Sequence, residues 1–227
     1  MKFVLAILLI FNVILLNKAD FPTRQKFRNQ FKAMDFKFDL NNFSFDDEAG
    51  GTIKPLDVNN MPALQGEGIS YSLFNIEPCG VNLPHVHPRA SELLYVIKGS
   101  NIVTSFVEEN RGRTITNVLN TGEATLFPQG LLHFQQNMGC EMATYLSALN
   151  SEDPGVLTVS NRLFELQVNG VAVGLNMTVE QVLALRENVP RGPAAGQAEC
   201  LRRCRSVFFG PLKDWIYSFF KYFSFFN

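Results

Sequence analysis

Two of the chain's three histidines lie in "PHVHPRASE", residues Pro84 to Glu92, with a carboxylate close behind them. In an extended strand, residues i and i+2 point to the same face. His85 and His87 therefore aim their imidazoles the same way. Pro88 breaks the strand, and the short excursion Pro88-Arg89-Ala90-Ser91 can return Glu92 to the same cavity. Two imidazoles and a carboxylate suit Mn, Fe, Zn, Ni or Cu. The third histidine, His133, lies in "GEATLFPQGLLHFQQN", where Pro128-Gln129-Gly130 turns the chain and His133 begins the next strand. If that strand lies beside the first, His133 completes a site of three histidines and one carboxylate. An H-x-H pair is a weak signal by itself, because a strand histidine is more often a hydrogen-bonded polar residue than a ligand. Spacing alone leaves both readings open.

The chain that must position these residues has 227 residues, 46% hydrophobic and 18% charged, which suits a globular core. Its formal net charge of −1 offers no basic footprint, so nucleic acid is set aside as a partner. The start, "MKFVLAILLIFNVILLNKADF", has the basic Lys2 and then an apolar run, Phe3 to Leu16, broken only by Asn12. That is the length of a signal-peptide core and short for a membrane span. Residues 1–19 are read as a signal peptide, with an uncleaved anchor as the other reading, and the protein as secreted and extracellular. Asn17 departs from the small residue preferred before the cleavage site. An oxidising compartment suits disulfides among Cys79, Cys140, Cys200 and Cys204, and their three pairings stay open. Cys200 and Cys204 form C-x3-C with no histidine nearby, which argues against zinc there. The sequons at Asn42 and Asn176 fit secretion and glycosylation.

Residues 20–50 form an aromatic, charged arm, read as extended segments packed on a main domain at 51–190. From Ile69 to about Ser160 the pattern is short β-strands. "ISYSLFNIE" alternates, with Ser70, Ser72, Phe74 and Ile76 on one face. "ELLYVIKGSNIVTSFVE" reads as two strands joined in a hairpin at Lys98-Gly99-Ser100. "ITNVL", "EATLFP", "LLHFQQN", "EMATYLSALN" and "GVLTVS" follow at regular intervals, which indicates a sandwich or barrel. "TVEQVLALRENVP" has helical spacing, a capping box of Thr178 with Gln181, and Pro190 as its stop. Residues 191–227 read as a linker and an aromatic-rich tail. The tail suits a helix in a membrane interface, a lipid-anchor signal, or a segment packed on a partner subunit or without fixed structure.

The two histidine segments together resemble the paired motifs of the cupin superfamily, specifically those of the germin-like proteins. Their first motif is G-x5-H-x-H-x(3,4)-E-x6-G, and "CGVNLPHVHPRASELLYVIKG" supplies His85, His87, Glu92 and Gly99 in register. Cys79 takes the place of the leading glycine. The second is G-x5-P-x-G-x2-H-x3-N, matched at every place by Gly122, Pro128, Gly130, His133 and Asn137. The resemblance implies an all-β, jelly-roll cupin barrel with a C-terminal helical segment. It also implies manganese held by His85, His87, Glu92 and His133, with iron or zinc left open by spacing, and a homo-oligomer, trimer or hexamer. Germins usually carry a cysteine bridge near the mature N-terminus, and this chain departs from that pattern, because no cysteine precedes Cys79.

Members of that family include oxalate oxidases and superoxide dismutases, which act on a small anion or a dioxygen species. Others serve only for binding, storage or stress. The oxidases hold oxalate with two asparagines. Asn82 matches one of them, while Ser72 stands at the other position. A hydroxyl reaches less far than an amide. The expectation is a manganese-dependent oxidoreductase, superoxide dismutase ahead of oxalate oxidase, with Asn82 and Ser72 as substrate contacts. The alternative is a non-enzymatic extracellular structural, storage or stress protein that binds metal. A third reading is a metal-dependent enzyme acting on another small acid or a sugar.

Overall fold

A computed structural model describes residues 24–40 and 48–204. The leader, the Asn42 sequon and the aromatic tail lie outside these residues. Ten strands run in chain order: β1 (Gly51–Leu56), β2 (Ser70–Ile76), β3 (Val81–Val86), β4 (Glu92–Lys98), β5 (Ile102–Val107), β6 (Thr114–Leu119), β7 (Ala124–Phe127), β8 (Leu132–Asn137), β9 (Ala143–Leu149) and β10 (Leu157–Thr158). They form two five-stranded sheets, β1-β2-β9-β4-β7 and β10-β3-β8-β5-β6, whose strand pairs are antiparallel. The all-β jelly roll implied by the motifs is the observed architecture.

Alternation decides what faces inward. On β2, Ser70, Phe74 and Ile76 are buried while Ile69 is half exposed. One part of the interior is apolar: Phe74, Ile76, Leu94, Val96, Ile102, Leu119, Phe127, Ala143 and Tyr145 pack in one cluster. The same inward faces also carry buried polar groups, namely Asn82, His85, Glu92, His133, Gln135 and Ser147. Buried polar groups are costly unless they are paired, and these mark the site.

The hairpin expected at Lys98-Gly99-Ser100 does not form. β4 pairs with β7 and β9, whereas β5 pairs with β6 and β8 of the other sheet. Gly99 at φ +132° and Asn101 at φ +58° carry the chain around a corner between the sheets. Leu94 and Val96 meet Ile102 from opposite sides of one core. Two alternating strands with a glycine between them satisfy either topology locally, and packing between the sheets selects this one.

Three short helices follow: α1 (Val159–Leu163), α2 (Val168–Leu175) and α3 (Val179–Arg186). Phe164, Val171, Ala172 and Val182 form a small core of their own. The capping box is present. Thr178 accepts from the Gln181 amide, and Gln181 accepts from the Thr178 amide. Helix α3 ends at Arg186, before Pro190, and looser turn bonds to Leu185 and Arg186 close it. "GVLTVS" is only briefly extended before the chain coils into α1.

In the arm, residues 24–28 are helical and Ala33–Phe36 forms a 3-10 turn, so this part is not extended as expected. Phe31 packs edge-on against Phe27 and Phe36 at 5.1 and 6.0 Å, and ring pairs at this spacing favour a compact turn. The linker-like stretch after residue 190 is docked on the barrel. Ala194 exchanges both backbone hydrogen bonds with Val81 at 2.9 Å, and the Gly50 amide donates to Pro193. Residues 198–204 are helical and held by Cys79–Cys200 and Cys140–Cys204, which settles the pairing. Among the described residues, no single helix is long and apolar enough to cross a membrane.

Candidate metal centre

The three histidines come from one sheet and the carboxylate from the other. His85 lies on β3 directly across from His133 on β8, in register after a bulge that follows Asn82. His87 stands just past the end of β3, and Glu92 is the first residue of β4. β3 carries Pro84 within its bulge and ends at Val86, two residues before Pro88. Ligating atoms of all four side chains lie within 4.8 Å of one another, and all four are buried. The four residues singled out by spacing are thus brought together.

Each histidine is oriented through its other nitrogen. Nδ1 of His85 bonds the Leu83 carbonyl at 2.7 Å, that of His87 the Gly155 carbonyl at 2.7 Å, and that of His133 the Leu131 carbonyl at 2.8 Å. A carbonyl can only accept, so Nδ1 carries the hydrogen in each ring. A neutral imidazole so fixed turns an unprotonated Nε2 towards the centre. Glu92 Oε2 lies 3.0 Å from His87 Nε2 and 3.1 Å from His133 Nε2. Three nitrogen lone pairs and a carboxylate oxygen repel unless a cation sits among them. This set, buried and braced from behind, fits a divalent transition metal.

The packing around the ligands is specific. The ring of Phe127 stacks on His133 with centroids 4.4 Å apart and 18° between planes. Asn137, the last residue of the second motif, donates its amide to the carbonyls of Ile76, Glu77 and Glu141 and accepts from Gly139. It is a latch at the barrel's turns. The motif position held by Cys79 has φ +66°, which explains why glycine suits it.

The electrostatics follow from burial. Burial, with the His133 charge second, pushes His85 down to about 3. Burial also pulls on His87, but the Glu92 hydrogen bond and charge carry it above the usual histidine value. Glu92 is fully buried, which favours its neutral form, yet in the metal-free protein the bonds it accepts whenever a facing Nε2 of His133 or His87 carries a hydrogen hold it well below the carboxylate range. The sign of one consequence is clear. An unfolded His85 takes a proton near 6.5 and the folded one only near 3, so the unfolded state binds more protons in between. Metal-free protein should lose stability as pH falls from 6.5 towards 3, with His85 contributing up to about 1.4 kcal/mol per pH unit. Glu92 adds loss in the same direction below its unfolded value, and His87 acts oppositely, favouring the folded state as pH falls through its raised value. Urea titrations at pH 6 and pH 4.5 read the slope. His85→Asn should flatten it, and an unchanged slope in that variant would refute the assignment.

Sequence reasoning named Asn82 and Ser72 beside the ligands. Asn82 is buried on β3 and its amide donates to Gln135 Oε1 at 2.6 Å. Ser72 sits on β2 opposite Ser147 of β9. Three interior residues went unnamed. Ser147 donates to Glu92 Oε1 at 2.5 Å. Gln135 Nε2 and the Tyr145 hydroxyl are buried without hydrogen-bond partners. Burial first, and the Glu92 charge second, push Tyr145 well above the usual phenol value. Alternation along β8 from His133 placed Gln135 inward, and that signal was available. A lone serine or tyrosine on a strand carries none.

Known proteins resemble this chain as follows. The sequence profile of the cupin family matches residues 38–181. Spherulin-1B of Physarum polycephalum is 39% identical over 172 residues, which cover 74% of this chain and 69% of that protein. Germin-like protein 4-1 of Oryza sativa subsp. japonica is 41% identical over 119 residues, 51% of this chain and 46% of that one. The chain thus spans about half the length of this germin-like relative. A solved oxalate oxidase superposes with a TM-score of 0.63 at 27% identity, covering 69% of this chain and 81% of the other.

Proposed function

This chain belongs to the cupin family, in its germin-like branch, and we propose that it is a secreted, manganese-binding oxidoreductase, a superoxide dismutase rather than an oxalate oxidase. The observation that carries the reading is the convergence of His85, His87, His133 and Glu92, with each ring's Nδ1 tied to a backbone carbonyl. Bound manganese supplies one-electron redox cycling next to a small anion. The chain's own residues do the rest. The three carbonyls hold the rings with Nε2 turned towards Glu92, and Phe127 covers one face of His133. Asn82 and Ser72 are the substrate-facing positions in this reading. Asn82 already spends an amide hydrogen on Gln135. Ser72 offers a short hydroxyl where the oxalate oxidases hold their substrate with a second amide. That pairing favours a one- or two-atom anion over a dicarboxylate.

One preparation tests this. Metal quantification should find stoichiometric manganese, and superoxide turnover should exceed oxalate turnover. No stoichiometric transition metal would sink the metal reading. Bound manganese without either turnover would leave the structural or storage alternative.

Two further features fit a secreted oligomer. Val173 is 83% exposed and Leu166 65%, on or beside α2, which suits a neighbouring subunit. Light scattering should report a trimer or hexamer, and a monomer would overturn that part. Asn176 is exposed in the turn between α2 and α3, at φ +53°. Protein secreted from a eukaryotic host should lose mass at Asn176 on treatment with an N-glycosidase. An unshifted peptide carrying Asn176 would refute glycosylation there.

A further inference from the structure

The two oxygens of Glu92 have different surroundings. Oε2 faces the Nε2 atoms of His87 and His133 at 3.0 and 3.1 Å. Oε1 is turned away and accepts the Ser147 hydroxyl at 2.5 Å. Ser147 is wholly buried, on the inward face of β9, diagonal to Glu92 across the β4–β9 ladder, where Leu94 is its direct partner. No other hydrogen-bonding side chain approaches Glu92 Oε1 within bonding distance among the described contacts.

We infer that Ser147 is a positioning residue that selects which oxygen of Glu92 serves the ion, holding the carboxylate to a single ligating oxygen. The inference rests on the metal reading above. Turning Oε1 inward as well would strip the buried Ser147 hydroxyl of its acceptor, and a buried donor left unpaired is costly. While that bond stands, the carboxylate occupies one coordination position, and room for a small anion is kept. A bond to a charged acceptor is the stronger kind of hydrogen bond, so it suits this role. No proton leaves Ser147, and nothing is oxidised or reduced in this step.

The test uses full-length, metal-loaded protein with azide as the probe anion. Ser147→Ala should keep stoichiometric manganese. Its Mn(II) electron paramagnetic resonance spectrum should change, because the freed carboxylate alters the ligand field. Azide affinity should fall by about tenfold or more, the range set by outer-sphere partners of metal ligands. Ser147→Thr, which retains the hydroxyl, should restore both readouts, and Ser147→Val should not. A wild-type spectrum and azide affinity in Ser147→Ala would overturn the inference. So would loss of the metal itself, since Ser147 would then hold the ligand in place rather than choose its oxygen. If the wild-type protein carries no metal, the reading of the site fails instead, and the two failures are told apart.

Discussion

Glu92→Gln is expected to fold and to lose its metal. Glutamine keeps the shape of the side chain, and its amide can donate towards His87 or His133 Nε2, each about 3 Å from the oxygen it replaces. The substitution also removes a charge that is buried in the barrel. Removing one partner of a buried pair costs stability, and a carboxyl held below its ordinary value stabilises the folded state at neutral pH. The metal-free variant should therefore stay folded but unfold at a lower urea midpoint than the metal-free wild type. Metal binding should weaken by more than about 100-fold, because outer-sphere changes alone cost about 10- to 100-fold and Glu92 is the one anionic donor. Isothermal titration with Mn(II) after chelation measures this. Unchanged affinity would remove Glu92 from the ligand set. Joint loss of fold and metal would show instead that the carboxylate holds the barrel together.

The second large effect concerns the disulfides. Cys79–Cys200 joins residues 121 apart in sequence. It pins the helical segment 198–204 against the start of β3, the strand that carries Asn82 and His85. A Cys79→Ser, Cys200→Ser double variant should lose about 2–4 kcal/mol of stability, read from a denaturant midpoint. Cys140–Cys204 still tethers the segment, which keeps the loss below that of a free loop. Cys79→Gly with Cys200→Ser should be the milder change, by about 1 kcal/mol, because glycine takes the positive φ of this position without strain. Equal losses in the two variants would count against a strained Cys79 backbone. Manganese should be retained in both, because none of the four ligands lies in the released segment.

The candidate donor set is legible in the sequence because H-x-H on a strand is a local geometric statement and the resemblance to two family motifs says where Glu92 and His133 return. The barrel class is legible from alternation. Its connectivity is not, since "LLYVIKGSNIVTSF" satisfies a hairpin and a sheet-to-sheet corner equally well. Only the shared core of Leu94, Val96 and Ile102 decides between them. α2 escapes notice because "VNGVAVGL" carries two glycines and lacks a polar face. Ser147 escapes because its meaning depends on Glu92, a partner that lies one strand away and 55 residues earlier. The disulfide pairing depends on the same kind of distant contact.

The order of strands bears on how the protein comes into being. β2 lies beside β9, and β3 beside β8, so neighbours in the sheets are remote along the chain. Such non-local pairing is slow, because long loops must close before any contact rewards them. His85, His87 and Glu92 belong to one short stretch, but His133 joins them only when β8 docks on β3. A nascent chain therefore carries only three of the four candidate donors near one another until the barrel shuts, and the last long-range pairing is also the step that completes the donor set.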